Sequence, residues 1–332
     1  MTVLITGVAG FIGFHLATHL TSRGVRVHGI DSLNASPTRP LKESRLEVLR
    51  NKPLLTVQVG DLCDIQTLAS LPKRHNFSAV VHLAARPGVR VPTYQWSEYV
   101  KSNVLALTEV LRIMEERSIE RLLYASSSSV YGTSVSEHGS YEGQVRSPQS
   151  VYALTKALSE DIVGAFAANV RVQAIGLRFF SVYGPWGRPD MLIWRVIASA
   201  MTGSPVRING DGRHARDFTF VDDLTRDVGE LLDLSETQIH DAPGVMNIGG
   251  TGVSRSIHDV IQIVEEQMGT SLNLEFGSAD PRDAEITRSD QRLNVRVLGA
   301  RSATPLEEGI RKTSEWMLSQ GIGRILAWSD PS

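Results

Sequence analysis

Short runs of β-branched and apolar residues alternate with longer segments of helical periodicity through the first half of this chain. The runs are TVLIT, VRVHGI, LLTVQV, AVVHLA, RLLYAS and VQAIGLRFF, and the longer segments include FIGFHLATHLTSRG, SEYVKSNVLALTEVLRIMEERS and VYALTKALSEDIVGAFAAN. Continuous apolar runs are typical of strands buried on both faces, and apolar residues three or four apart indicate helices. Strict alternation of strands and helices predicts a doubly wound α/β fold, in which helices cover both faces of a parallel sheet.

The pattern changes after about Gly184. Turn signals follow at close intervals in GPWGRPD, TGSPV, NGDGRHARD and DAPG, and the strands between them become shorter. We therefore predict a first domain over residues 1–183. Residues 184–332 are predicted to form mainly a smaller mixed α/β lobe, with some segments returning to the first domain.

Charge and cysteine content restrict the classes of partner. The 332 residues contain 34 Lys and Arg against 36 Asp and Glu, so no net basic field attracts nucleic acid or an anionic membrane. The single cysteine, Cys63, rules out an intrachain disulfide, and no apolar run reaches the roughly 18 residues of a membrane span. We expect a cytoplasmic protein that binds neither nucleic acid nor membrane.

Three glycines lie between the first strand and the first helix. Gly7, Gly10 and Gly13 allow a tight turn, close approach of the backbone to a pyrophosphate and close helix packing, which is the Rossmann-type pattern for binding a dinucleotide. The second strand ends in Asp31, roughly 20 residues beyond the turn, where a carboxylate accepts both ribose hydroxyls. Because this carboxylate would repel a 2′-phosphate, the pattern favours NAD over NADP. A packing turn with a surface aspartate is the alternative.

A run of serines ends the fifth predicted strand, at the same sheet edge as the glycine turn. It is followed by YALTK, which places Tyr152 and Lys156 four residues apart on one helix face. A lysine cation beside a phenol lowers the phenol pKa toward working pH, and a serine hydroxyl can share the proton of the substrate. We predict that these groups form a general base for oxidation of an alcohol. A solvated serine loop is the alternative.

Together these features resemble the extended short-chain dehydrogenase/reductase family of NAD-dependent nucleotide-sugar epimerases and dehydratases. The stretches GFIGFHLA, PLKESRL, HLAARPGVR, YASSSSVYG, LRFFSVYGPWGRPDM and RDFTFVDDL are similar to those of the UDP-glucuronate 4-epimerases. The resemblance implies that Ser127 acts with Tyr152 and Lys156. It also implies that UDP-glucuronate becomes UDP-galacturonate through a transient 4-keto sugar, while NAD accepts and returns the hydride.

The strand ends and the resemblance together predict two sets of binding residues. The cofactor set is Gly7, Gly10, Phe11, Ile12, Gly13, Asp31, Asp61, Leu62, Leu83, Ala84, Ala85, Asn103, Tyr152, Lys156 and Phe180. The substrate set is Ser126, Ser127, Ser128, Arg90, Ser181, Arg188, Arg216 and Asp283. Ser126, Ser128 and Ser181 are expected to hold the uronate carboxylate. For Arg188 a surface loop is the alternative, and for Arg216 an ion pair with Asp217 or Asp222.

The sequence is compatible with alternative functions, and it also predicts an assembly. A UDP-hexose 4-epimerase and a UDP-glucuronate decarboxylase share the first chemical step, although the decarboxylases carry a glutamate where Ser129 stands. A non-catalytic NAD-sensing protein is an alternative from another class. By analogy with related enzymes, helices over Glu98–Glu116 and Val151–Asn169 are expected to pair with their copies in a homodimer. The roles of Arg86 and Arg282 are left open.

Overall fold

The computed structural model describes residues 1–34, 39–72, 77–133, 135–136, 138–235, 237–238, 244–280 and 283–329. The strands are β1 Thr2–Thr6, β2 Arg26–Asp31, β3 Leu55–Val59, β4 Ala79–His82, β5 Arg121–Ser127, β6 Gln173–Phe179, β7 Ser181–Tyr183, β8 Val206–Asn209, β9 Ala215–Arg216, β10 Phe218–Phe220, β11 Val245–Ile248, β12 Arg255–Ser256, β13 Leu274–Gly277 and β14 Ile286–Thr287. The helices are α1 Phe11–Ser22, α2 Arg39–Arg50, α3 Ile65–Ala69, α4 Trp96–Val100, α5 Ala106–Glu116, α6 Val151–Asn169, α7 Leu192–Thr202, α8 Val221–Asp233, α9 Ile257–Met268, α10 Arg292–Leu298, α11 Leu306–Gln320 and α12 Ile322–Ser329. In the described part of the chain, no helix has the length and apolar character needed to cross a bilayer.

Seven parallel strands form the main sheet in the order β11-β6-β5-β4-β1-β2-β3. The predicted doubly wound α/β fold is therefore confirmed. Strand β1 lies between β2 and β4, pairing Val3 with Val27 on one side and with Ala79 on the other. The strand order reverses at β1, and ligands of open α/β sheets bind beyond the carboxyl ends of the strands at such a reversal.

Both faces of the sheet are buried. Along β1, Val3 and Ile5 belong to one apolar core and Leu4 belongs to the core on the opposite face. This division follows from the two-residue repeat of a strand, which points successive side chains to opposite faces. The strands and their carboxyl ends are consequently held rigidly.

The second half of the chain contributes to both lobes. Strand β11 pairs in parallel with β6 in the main sheet, and α8 supplies Leu224 and Val228 to the same core as α1. Three small sheets, β10-β7, β12-β9-β14 and β13-β8, lie outside the main sheet. A separate apolar core contains Val196 and Val260. A boundary at residue 183 remains a prediction, and the main sheet includes a strand from beyond it.

The predicted helix over Glu98–Glu116 is interrupted. Helices α4 and α5 are joined by a π-helical turn over Lys101–Leu105. A π turn holds one more residue per hydrogen bond than an α-helix, so it rotates the side chains within it away from the α-helical register. In this turn Asn103 is buried, whereas Lys101 is exposed.

Candidate active site

A cleft of about 1300 Å³ lies at the carboxyl edge of the main sheet. It is continuous with a smaller cavity of about 250 Å³ in the second lobe, because Ser181 and Arg188 line both. Nearly all the residues that sequence reasoning placed at the site line the larger cleft: Gly7, Gly10, Phe11, Ile12, Gly13, Asp31, Asp61, Leu62, Leu83, Ala84, Ala85, Arg90, Ser126, Ser127, Tyr152, Lys156, Phe180, Ser181 and Arg188. Arg216 and Asp283 line the smaller cavity. Ser128 and Asn103 line neither of them.

The glycine turn leaves no room for side chains. Gly7 has a φ of +72°, in the left-handed region that favours glycine, and a Cβ added there would lie 2.7 Å from the backbone nitrogen of Ala84. A Cβ on Gly13 would lie 2.2 Å from the carbonyl oxygen of Gly7. Helix α1 begins without a side-chain cap, since its N-cap residue is Gly10. The uncapped amino end of α1 is therefore suited to an anionic phosphate.

Asp31 is buried at the end of β2 and already accepts several hydrogen bonds. Its Oδ2 accepts from the backbone N–H of Ala9 at 3.0 Å, and its Oδ1 accepts from the N–H of Leu33 and from Lys42 Nζ, both at 2.9 Å. The lysine partner was not foreseen from the sequence. Lys42 and Arg45 lie three residues apart on α2, within the quoted stretch PLKESRL, and both line the cleft. The three-residue spacing of these two cations was the sequence feature from which they could have been predicted as site residues.

The serine run divides its hydroxyls between different partners. Ser127 ends β5, accepts a hydrogen bond from the N–H of Ser129 at 3.2 Å and donates to Ser129 Oγ at 3.1 Å. Ser128 begins a short 3₁₀ helix over Ser128–Tyr131. Ser126 faces the opposite way and donates to Glu160 Oε1 at 2.5 Å. Only Ser126 and Ser127 of the run line the cleft.

Tyr152 and Lys156 lie at the start of α6, which Ser150 caps by accepting from the N–H of Ala153 at 3.1 Å. Lys156 is buried and donates to the carbonyl oxygen of Ala125 at 2.8 Å. Burial lowers the pKa of Lys156 to about 8, although nearby Glu160 opposes this change.

The structure corrects one expectation about the phenol. Burial raises the pKa of Tyr152, and the Ser127 hydroxyl and the charge of Arg188 only partly oppose this effect. Lys156 is not among the groups that lower it. The physical reason is that desolvation of the phenolate outweighs the positive charges near it. That Ser127 acts together with Tyr152 stays a prediction, although the Ser127 hydroxyl is near enough to oppose the rise in the pKa.

A buried ionic network behind the serines was missed by sequence reasoning. Glu160 accepts from Arg178 Nε at 2.8 Å, from Arg178 Nη2 at 2.7 Å and from Arg146 Nη1 at 3.2 Å. Arg178 also donates to the hydroxyl of Tyr131 at 2.9 Å. Glu160 lies four residues after Lys156, one helical turn further along α6, and this spacing was the only available signal. Through the bond from Ser126 to Glu160, the network holds the carboxyl end of β5 in place.

Arginines and their carboxylate partners surround the smaller cavity. Arg90 forms ion pairs with Asp283 and, at 3.6 Å, with Asp280. Arg188 pairs with Asp190, with Nε 3.0 Å from Oδ1.

Arg216 bonds to backbone rather than to a carboxylate. It donates to the carbonyl oxygens of Ala215 at 2.9 Å and Glu285 at 3.3 Å. Within the described part of the chain Arg216 forms no ion pair with Asp217, which accepts from the N–H of Ser289, or with Asp222, which lies 3.6 Å from His15 Nδ1. Arg282 lies outside the described residues.

Asn103 supports the cleft wall from behind. Its Oδ1 accepts from the N–H of Arg86 at 2.7 Å, and its Nδ2 donates to the Arg86 carbonyl at 3.1 Å and to Thr155 Oγ1 at 3.0 Å. Its amide thus joins the loop after β4 to helix α6. A direct cofactor contact by Asn103 stays a prediction.

Comparisons with known proteins agree with this geometry. Residues 3–249 match the model of the NAD dependent epimerase/dehydratase family. A UDP-glucuronate 4-epimerase of Thermodesulfobacterium geofontis is 34% identical and is aligned over 94% of this chain and 95% of the relative. The crystal structure of the UDP-glucuronic acid 4-epimerase of Bacillus cereus with UDP-glucuronic acid and NAD superposes with a TM-score of 0.90 at 30% identity, covering 96% of this chain and 100% of that one. The structure of MoeE5 with UDP-glucose and NAD gives a TM-score of 0.83 at 36% identity, covering 96% and 99%. The chain belongs to the NAD dependent epimerase/dehydratase family.

Proposed function

We propose that this protein catalyses the NAD-dependent 4-epimerisation of UDP-glucuronate to UDP-galacturonate. The observation that carries the proposal is the convergence of Tyr152, Ser127 and Lys156 in the cleft at the sheet edge, which opens into a cavity lined by arginines. The relatives and solved structures to which the chain is similar act on or bind UDP-sugars, which supports the same assignment.

The part of the cleft around the glycine turn and Asp31 fits NAD. The glycine turn and the uncapped start of α1 suit a pyrophosphate, and the buried carboxylate of Asp31 suits a ribose diol. Lys42 neutralises Asp31, and of the roughly four acceptor positions of this carboxylate the one left is on Oδ2, so accepting both ribose hydroxyls requires that Lys42 give up its place on Oδ1. When bound, NAD supplies a reversible hydride acceptor. The predicted contacts with Asp61, Leu62, Leu83, Ala84, Ala85 and Phe180 belong to the same proposal.

Tyr152 is proposed as the group that takes the proton from the sugar 4-hydroxyl and later returns it. Because burial raises the pKa of this phenol, ionisation needs additional positive charge nearby. Arg188 is the cation that already opposes this rise, and the ammonium of Lys156, one helical turn away, is proposed to add its charge as the phenol ionises. Ser127, whose hydroxyl opposes the rise in the pKa of Tyr152, is proposed to share the proton by redirecting the hydrogen that it now donates to Ser129.

The uridine diphosphate is proposed to occupy the smaller cavity, beside Arg90, Arg188 and Arg216. The uronate carboxylate would then meet serine hydroxyls near the junction of the two cavities. Of the three serines expected to hold the carboxylate, Ser181 is the one that lines both cavities. Ser126 donates its proton to Glu160, so it can bind a carboxylate only after that bond is exchanged.

The test is incubation of the purified protein with UDP-glucuronate, followed by NMR of the products. Formation of UDP-galacturonate supports the proposal. Release of carbon dioxide with a UDP-pentose indicates a decarboxylase, and conversion of UDP-glucose alone indicates a neutral hexose epimerase. The neutral hexose is kept as a second candidate because the committed proton of Ser126 leaves fewer donors for a carboxylate.

The variant Tyr152→Phe separates catalysis from binding. It removes the proton acceptor but keeps the ring, so turnover should fall by ~10² or more while the NAD content stays unchanged. An unchanged turnover would favour a non-catalytic NAD-binding protein. The matched control is Tyr141→Phe, an exposed tyrosine that lines neither cavity.

We also propose a homodimer formed through α4, α5 and α6. These helices and the π turn between α4 and α5 expose apolar side chains: Val100 is 49% exposed, Leu105 46%, Leu154 56% and Leu158 42%. A second copy that packed its own helices there would bury them. A cytoplasmic location, supported by the single cysteine, completes the proposal. Sedimentation and cell fractionation test the two statements separately.

A further inference from the structure

A buried arginine on α2 joins segments that are far apart in the sequence. Arg45 is 1% exposed. Its Nη1 donates to the carbonyl oxygen of Ala9 at 3.1 Å, within the glycine turn. Its Nη2 donates to the carbonyls of Trp186 at 2.5 Å and Gly187 at 3.1 Å, in the loop that also carries Arg188. One guanidinium thus holds backbone from both the proposed cofactor side and the proposed substrate side.

The hydrogen bonds of Arg45 require a guanidinium. They run to three carbonyl oxygens in two segments, and the planar fork of arginine presents several donors in fixed directions. A lysine ammonium is a compact donor on a flexible stem and cannot reproduce that fork. Burial lowers the pKa of Arg45 to about 9, while nearby Asp31 opposes the change. Burying this cation costs hydration free energy, and its hydrogen bonds to carbonyl groups offset part of that cost.

The loop that Arg45 holds has an unusual backbone. Trp186 has a φ of +58°, in the left-handed region that residues with a Cβ rarely adopt. Its ring lies 5.2 Å from Phe14, 5.0 Å from Trp316 and 5.6 Å from Trp328, as measured between ring centroids. The indole is therefore anchored among rings of α1, α11 and α12, while Arg45 anchors the carbonyl. Such conformations persist only where the surroundings determine them.

We propose that Arg45 is a positioning residue that couples the two ligand sites. By holding Ala9 and the Trp186–Gly187 segment together, it fixes the loop of Arg188 relative to the dinucleotide turn. Binding at the turn then stabilises the loop in its binding conformation, and the reverse holds by thermodynamic linkage. This inference rests on the proposed function for the identity of its ligands. It does not require that the chain turn over a particular sugar.

The experiment measures UDP binding by calorimetry to NAD-loaded and NAD-depleted protein. UDP is the probe because it lacks the sugar that would reach the reaction centre. In the wild-type protein, NAD should tighten UDP binding by roughly tenfold, within the usual range of coupling between sites. In Arg45→Lys, which keeps the charge but not the fork, this ratio should fall toward one. In Arg45→Met, UDP binding should be weak in both states.

The matched control is Arg39→Met, on the same helix, where an exposed arginine pairs with Glu43 four residues later. It should leave the ratio unchanged. A ratio in Arg45→Lys equal to that of the wild type overturns the inference, and so does a wild-type ratio of one. If neither Arg45 variant folds, the wild-type ratio alone decides: a ratio of roughly ten supports the coupling, and a ratio of one overturns it.

A spectroscopic readout distinguishes coupling from a general structural role. The emission of the indole cluster around Trp186 should change on UDP binding in the wild type and change less in Arg45→Lys. An equal change in both proteins counts against the proposed role. If both ligands bind with coupling but UDP-glucuronate is not converted, the proposed function fails and this inference stands.

Discussion

The buried pair of Glu160 and Arg178 gives a prediction whose size follows from the structure. Both side chains are almost fully buried, with 5% and 3% of their area exposed. The variant Glu160→Gln keeps the shape of the side chain but removes its charge and turns one acceptor oxygen into a donor. That new amide group must face either Arg178 Nη2 and Arg146 Nη1, or Arg178 Nε and the hydroxyl of Ser126.

Two hydrogen bonds are lost if the amide nitrogen faces Arg178 Nη2 and Arg146 Nη1, and at least one is lost if it faces Arg178 Nε and Ser126, whose hydroxyl can turn to accept. In both orientations a buried cation is left without a counter-charge. Hydrogen bonds to charged groups contribute about 1.5–3 kcal/mol each, and removal of one partner of a buried ion pair costs about 3–5 kcal/mol. We expect the free energy of unfolding to fall by about 3–5 kcal/mol. The end of β5 should loosen as well, because Ser126 loses its anchor.

The assay is urea unfolding of NAD-depleted protein, followed by far-ultraviolet circular dichroism and by tryptophan fluorescence. The control is Asp161→Asn, the next residue of α6, whose exposed carboxylate pairs with Arg146 Nη2 at 2.6 Å. Exposed pairs contribute about 0–1 kcal/mol, so the control should change little. The double variant Glu160→Gln/Arg178→Met should lose less than the sum of the single variants, since the uncompensated cation is gone. A loss below about 1 kcal/mol in Glu160→Gln would refute the reasoning.

Three further predictions concern the turn, the lysine and the surface. Gly13→Ala places a Cβ 2.2 Å from the Gly7 carbonyl oxygen, so we expect loss of bound NAD, measured by absorbance after denaturation. Because burial lowers the pKa of Lys156 from 10.5 to about 8, the unfolded chain binds more protons between these values. Relative to Lys156→Met, the free energy of unfolding should therefore rise from pH 8 to pH 10 in pH-dependent urea melts, by at most about 1.4 kcal/mol per pH unit. If the difference in unfolding free energy between the wild type and Lys156→Met does not change with pH, the lowered pKa of Lys156 is contradicted. Leu154→Glu places a charge on the proposed contact and should yield monomers in sedimentation velocity, whereas the exposed Leu318→Glu should not.

Local patterns carried most of the correct expectations. The strand and helix alternation, the helix over Val151–Asn169 and the glycine turn each depend on residues within one or two turns of one another. Their physical causes, namely side-chain periodicity and the conformational freedom of glycine at Gly7, act within a short stretch of chain. The sequence also placed most site residues together, because parallel strands bring their carboxyl ends to one edge of the sheet.

Tertiary structure decided what the polar groups do. The bonds of Arg45 join residues 36 to 142 positions apart, and the bond between Asn247 and Tyr131 that abuts the Arg178 network spans 116 positions. No periodicity encodes such distances. The partner of Ser126, the raised pKa of Tyr152 and the inclusion of β11 in the main sheet likewise depend on packing around each group.

The amino-acid sequence by itself thus determined the fold class and the chemistry available at the sheet edge, since both follow from residue types at short spacings. Only the folded chain determined which hydroxyls keep a free proton and which cations are buried. Hydrogen-bond partners and desolvation are properties of three-dimensional surroundings, and these form only when distant segments meet.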